Sequence, residues 1–456
     1  VFRHPLLLLW MMALTLGPVL GGGSLFAADL IQIYQEAAHN DPQLQGVYFQ
    51  TQATKEERKQ AIARFFPTVY GEGEYKQTQQ DIVSSDNTVF GSGSSDYGSQ
   101  SYSLNLTQPI LRWELIVGLW QSKAESLRAE AELQMAKQDL IVRVVKLYLD
   151  ALAAQDRLDY AQAEQAAVAK HLELATGRHR MGLIPKTDLH DAKARMATTQ
   201  AKTISAQNDL DDALQALREV TGAPVDSLLG LRTEIPLASP EPADMKGWIE
   251  GAVQQNLGVT LQKHAVEVAR YEVQRQWTGH YPSVDLVASW GNEETDGSLF
   301  GGGSEVETGE IGVRLTVPLF EGGRVHFRVR QARFQLSAAR QELVRREREV
   351  ARQARFAYLG VNSSLSRVDA LRQSVISNRL ALEAKQEGFM SGLYTSLNVL
   401  DAERDLSLVS IDHAQARYDY ILNSLKLKQA VGTLEDKDLM EISRWFGDRA
   451  VVDVVQ

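Results

Sequence analysis

The side chains able to do chemistry are present in this chain but do not gather. Nine histidines are scattered over 456 residues, and only His171 and His179, eight positions apart, could share a helix face. Neither a carboxylate nor a third ligand stands beside them at metal-binding spacing. Without a cysteine there is no disulfide and no thiol catalysis. No phosphate-binding Walker loop, dinucleotide glycine fingerprint or nucleophile elbow occurs. Most Asp and Glu residues read as solvated helical partners of Lys and Arg. An enzyme is therefore not expected, nor a resident metal or cofactor. Between Glu321 and Arg355 ten arginines stand against four glutamates. They form either a solvated helix face or, through Arg324, Arg328 and Arg330, a contact with anionic lipid headgroups or cell wall. The overall net charge of −10 argues against a nucleic-acid binder.

The elements that carry these residues repeat. Tyr148, Gly182-Leu183, Asp191-Ala192, Ala206, Asp209 and Gly222 recur, about 210 positions later, as Tyr358, Gly392-Leu393, Asp401-Ala402, Ala416, Asp419 and Gly432. Upstream, Pro67 answers to Pro282 and Pro109 to Pro318. A duplicated architecture is the organising feature. Residues 1–28 read as a signal peptide: Arg3 and His4, an apolar run from Leu6 to Leu20, then small residues up to Ala27 and Ala28. No later run is long and apolar enough for a membrane helix. An exported chain that meets a membrane must then do so through β-strands.

Each copy contains one very long helix. Residues 112–180 hold no proline, and glycine only at Gly118 and Gly177; their counterpart is 322–387. At 1.5 Å per residue each is about 100 Å long. A turn follows, then a half-length helix, 187–220 or 395–431. A proline-rich linker, 222–244, leads to a helix over 245–279, and an equivalent helix spans 29–64, opened by the cap-like Asp29. Two half-length helices end to end match one long one, so the linker and the tail 432–456 belong beside the middle of a tube. Leu140, Val144, Leu147, Ala151, Ala154 and Leu158 form one coiled-coil seam, with Ile141, Val145, Tyr148 and Leu152 beside it. Ile411, Ala414, Tyr418, Ile421 and Leu425 repeat the stepping in the last helix. Two adjacent seams require a neighbour on each side.

Alternation replaces helical periodicity at 66–111 and 281–320, the two strand pairs. Tyr102, Leu104 and Leu106 alternate with polar residues, as do Val284, Leu286, Ala288 and Trp290, and Ile311, Val313, Leu315 and Val317; a weaker strand near Thr68 holds Tyr70 and Tyr75. Gly/Ser/Asp-rich stretches, 86–100 and 291–309, read as hairpin loops. Prolines stand at all four helix–strand junctions: Pro67, Pro109, Pro282 and Pro318. Four strands cannot close in lipid, so copies must combine; three would give twelve strands and room for an aqueous bore.

The chain resembles the TolC outer-membrane efflux family, exit ducts of multidrug efflux pumps and type I secretion systems. The runs GLIPKTDLHDA from Gly182 and GLYTSLNVLDAERD from Gly392, with REVTG ending at Gly222 and KQAVGTL around Gly432, carry the resemblance. It implies a mainly α fold with a transmembrane β part: a homotrimer whose twelve-stranded outer-membrane barrel, four strands per chain, continues into a long periplasmic α-helical barrel. The two tandem repeats are then residues 29–221 and 245–431. The resemblance implies partners too: outer-membrane lipid, a periplasmic adaptor and an inner-membrane transporter of the ABC or RND type. A mouth closed at rest opens when these engage it, for export of type I secreted proteins or drugs. Acidic residues ring the constriction in such proteins; the matching positions here are Asn398 and Asp401, with Asp188 as a further gate acid. Phe389 and Tyr394 stand where relatives carry a Tyr/Arg latch, which implies a different latch. Gly182, Leu183, Gly392 and Leu393 match the adaptor-docking tips. The competing reading from the residues alone is a soluble periplasmic coiled-coil adaptor, which predicts neither paired alternating strands nor junction prolines.

Overall fold

The protein is described from a computed structural model, over residues 29–84, 93–225, 227–297 and 302–447. The signal-peptide reading of 1–28 lies outside the described residues, as do parts of both hairpin loops and the end of the tail. In chain order the elements are α1 (Leu30–Asn40), α2 (Pro42–Ala63), β1 (Thr68–Ile82), β2 (Gly93–Leu111), α3 (Trp113–Arg180), α4 (Lys186–Thr221), β3 (Gly230–Leu231), α5 (Met245–Gln255), α6 (Leu257–Trp277), β4 (Ser283–Thr295), β5 (Ser304–Thr316), α7 (Arg324–Met390), α8 (Ser396–Val431), α9 (Asp436–Ser443) and β6 (Phe446–Gly447). Among the described residues no helix is long and apolar enough to cross a membrane.

The two long helices, of 68 and 67 residues, are each about 100 Å long. Half-length helices flank α3. Near the sheet it meets α2, through Thr51 Oγ1 donating to the Ala129 carbonyl (3.3 Å), and α6, through Gln121 and Glu272 (3.1 Å). Farther down it meets α4 through Lys202 and Glu164 (3.1 Å), and α8 through the Tyr418 hydroxyl donating to Asp156 (2.6 Å). The seams keep these neighbours in place: Leu140, Ile141, Val144, Val145, Tyr148 and Leu152 are all buried. Each such apolar side chain removed from water contributes about 1.5–3 kcal/mol.

The helices expected over 29–64 and 245–279 are each broken in two. Asp41 caps α2, its side chain accepting from the Leu44 amide (2.8 Å), with Pro42 at the first helical position. Asn256 does the same for α6, accepting from Gly258 (2.9 Å) and Val259 (3.3 Å). These residues satisfy amide donors that a restarted helix leaves open. At both breaks a short helix from below ends: Asn40 donates to the Thr221 carbonyl (2.6 Å), and Asn256 to that of Ala430 (2.9 Å). Asp29 makes no side-chain cap and instead accepts from the Ser443 hydroxyl (2.8 Å).

At this level the linker and the tail meet. β3 pairs antiparallel with β6, Phe446 stands edge-on to Tyr148 (5.1 Å), and the Tyr148 hydroxyl donates to the Leu229 carbonyl (2.8 Å). The tail also holds α9, only eight residues long, too short for apolar periodicity to register.

All four longer strands form one antiparallel sheet, in the order β1-β2-β4-β5. The register sets Leu104 opposite Gly71 and Trp290, and Ala288 opposite Leu106 and Ile311, so the alternating apolar residues named for β2, β4 and β5 share a face. Glu72, Glu74, Glu293 and Glu310 lie on the other. Tyr70 and Tyr75, an odd number of residues apart, fall on opposite faces. Pairing continues from Ile82 and Gly93 on one side and from Thr295 and Ser304 on the other. Much of what composition marks as loop is therefore strand, because ladder bonds come from the backbone and polar side chains do not prevent them. Pro109 lies inside β2 rather than at a junction, at a register shift between Pro109 and Leu111, where its missing N–H is tolerated.

Candidate functional site

The helical end farthest from the sheet is built from two tight turns. In the first, Gly182 adopts φ +73° and in the second Gly392 adopts φ +75°, a left-handed conformation that closes a helix where a β-carbon would be strained. The Leu183 amide returns to the Arg178 carbonyl (2.9 Å) and that of Leu393 to the Gly388 carbonyl (2.7 Å). Both leucines are thereby held outward, Leu183 68% and Leu393 79% exposed.

The turns differ in what covers them. A β-carbon on buried Gly388 would come within 2.3 Å of the Tyr394 ring. Tyr394 thus lies across a glycine, and Phe389 beside it is half-buried. In the first turn the repeat-equivalent of Gly388 is Arg178, and His179 Nδ1 is 3.2 Å from the Ile184 carbonyl oxygen. That contact is local to the turn, so His179 does not join His171.

Asn398 is part of a capping box. Its side-chain oxygen accepts from the Thr395 amide (3.0 Å) and hydroxyl (2.7 Å), while the Asn398 amide donates to Thr395 Oγ1 (3.4 Å). Asp188, in the first turn of α4, accepts from the Thr187 hydroxyl (3.2 Å). Asp401 faces α4: Arg195 Nη1 is 3.6 Å from its Oδ1, and Arg404 Nη1 4.0 Å. Arg404 also reaches Asp405 (3.1 Å); that hydrogen bond, more than the neighbouring charges, raises the Arg404 pKa. Burial lowers the His171 pKa, helped by Arg195 and Arg178, and its Nδ1 is buried without a hydrogen-bond partner. Burial raises that of Glu403, against the opposing pull of Gln386 and Lys170.

Arg195, Arg404 and Gly388 escaped the sequence reading. The signal for Arg195 lay in the repeat: Asp191 recurs as Asp401, but Arg195 recurs as Asp405, with the charge inverted.

At the other end the helix–strand junctions present exposed aromatic and apolar groups: Phe66, Ile110 with Trp113, Trp277 with Tyr281, and Leu319 with Phe320. Arg112, at the foot of β2, grips the buried carboxylate of Asp285 in β4 through two 2.7 Å hydrogen bonds. Of the arginines on α7, Arg324 is held by Glu321 (2.7 Å) and Arg330 stands 5.8 Å over the Phe334 ring.

Residues 33–223 and 248–433 match the family described as outer membrane efflux protein. The chain is 34% identical over 422 residues to the outer membrane protein TolC of Vibrio cholerae, covering 92% of this chain and 94% of that protein. It is 29% identical over 426 residues to the alkaline protease secretion protein AprF of Pseudomonas aeruginosa, covering 92% of this chain and 88% of that one. In fold it is similar to the Campylobacter jejuni CmeC outer membrane channel, with a TM-score of 0.77 at 16% identity, over 92% of this chain and 90% of that chain.

Proposed function

Because the chain belongs to the outer membrane efflux protein family, we propose that three copies of it close into a duct through which a substrate delivered from the inner membrane leaves the cell. The protein is an outer-membrane efflux channel of the Gram-negative type, with a periplasmic helical tunnel. Its family forms channels and is not an enzyme family.

One observation carries the trimer. Among the described residues the sheet ends at β1 on one side and β5 on the other, each without a further partner. Helix contacts give the same two flanks: α2 and α4 on the β1 side, α7 on the β5 side. A chain with two different open flanks joins its copies head to tail, and such contacts close when the rotation is right. β5 is exposed at every residue. An open edge in lipid costs several kcal/mol per unpaired backbone group, which a neighbour's β1 removes. Two copies give eight strands and a bore filled by side chains; three give twelve strands and an aqueous channel. The shared apolar face then meets lipid, and the junction aromatics sit at its boundary. A soluble coiled-coil adaptor has no use for such a face.

In this reading the two glycine turns ring the periplasmic mouth, where Asp401 and Asp188 place acidic groups and Leu183 and Leu393 offer an adaptor its docking contacts. By name, relatives include a protease secretion protein, an outer membrane efflux protein and a cobalt-zinc-cadmium resistance protein. The cargo class favoured here is secreted polypeptide or drug, handed over by an ABC or RND transporter. Leu183→Ser with Leu393→Ser should leave assembly intact and abolish crosslinking to the adaptor. Carbonate-washed membranes should retain the protein, and the detergent-purified form should have a mass of three chains and conduct ions in planar bilayers. A compact monomer without conductance would overturn the proposal.

A further inference from the structure

Asp401 is not a free carboxylate. Arg195 reaches it across the gap between α4 and α8, and Arg404 reaches it from one turn farther along α8. Arg404 is shared with Asp405. The group thus holds two carboxylates and two guanidiniums and sums to zero. His171 adds nothing to that sum near neutral pH, because burial and the adjacent guanidiniums keep its imidazole uncharged.

From this arrangement we infer that Arg195 is a specificity-determining residue of the duct: it is the counter-ion that offsets Asp401, so that the Asp401 ring does not select cations and lets anionic cargo pass. The inference rests on the reading that Asp401 faces the pore. Both partners are partly exposed, 43% and 38% for the two side chains, so the contact contributes little to stability. Its consequence is for the field. An ion passing within a few ångströms, well inside the Debye length of about 10 Å at 0.1 M salt, meets a dipole instead of a negative charge, and around a closed ring this holds in every copy. Without Arg195, Asp401 would compete with Asp405 for the single guanidinium of Arg404, and the group would become net negative.

The test is the reversal potential of single channels in planar bilayers under a potassium chloride gradient, using the full-length purified protein. Arg195→Gln should raise the cation-to-anion permeability ratio severalfold, Asp401→Asn should lower it, and the double variant should return it close to that of the parent. Arg195→Lys, which keeps the charge, should leave the ratio near the parental value. If Arg195→Gln does not move the ratio while Asp401→Asn does, the counter-ion role is overturned and the pore position of Asp401 stands. If neither moves it in a channel that still conducts, the pore position fails and takes the inference with it.

Discussion

His171 shows how a single residue ties packing to pH. Its pKa lies below the ordinary value of 6.5, first through burial and then through Arg195 and Arg178. The sign follows from proton counting: between the lowered pKa and 6.5, an opened α3–α4 hairpin binds more protons than the packed one. Packing therefore weakens as pH falls below 6.5 and is restored above it. Amide hydrogen exchange in the lower part of α3 and α4 should be faster at pH 5.5 than at pH 7.5 after correction for intrinsic rates. His171→Gln should flatten that difference. An unchanged pH response in the variant would assign the effect to another group.

At the scale of elements, the breaks at Asp41 and Asn256 decide how half-length helices stack to match a long one. Each breaking residue both starts the helix above and stands where a helix below ends. Asn256→Ala removes two accepted amide bonds and the donation to the Ala430 carbonyl, so it should cost about 1–2 kcal/mol. Asp41→Ala should cost more, because Asp41 also pairs with Arg143, whose Nε is buried without a hydrogen-bond partner. Urea midpoints of the detergent-solubilised protein would rank the two. Equal midpoints for Asn256→Ala and the parent would mean that tertiary packing alone fixes the break. Pro42 after Asp41 is a helix-start signal that the expectation of one helix over 29–64 passed over, whereas Asn is tolerated within helices and only the contacts of Asn256 show that it caps.

For the whole molecule the question is closure. The absence of cysteine gives a clean background for crosslinking. Single cysteines placed over residues 69–73 of β1, each combined with one over 308–314 of β5, should form disulfides between chains in a ladder that stops at three. Pairs within one chain should not form, since β2 and β4 separate the two edges. A ladder running past three would indicate an open assembly, and none at all would mean that β1 and β5 do not meet.

Much of this protein was legible in its residues. The long helices, the four alternating segments and the glycine turns are all local patterns, set by the period at which apolar side chains recur and by where proline and glycine permit or forbid a conformation. The family followed from motifs of the same local kind. Tertiary structure alone decided which segments meet: the order β1-β2-β4-β5, the pairing of linker with tail against Tyr148, and the guanidinium of Arg195 set against Asp401. These contacts join residues far apart in the chain, and no local periodicity encodes how distant segments lie against each other. The charge of Asp401 was therefore readable from the sequence, whereas its pairing with Arg195 depended on α4 and α8 folding to within 4 Å of each other.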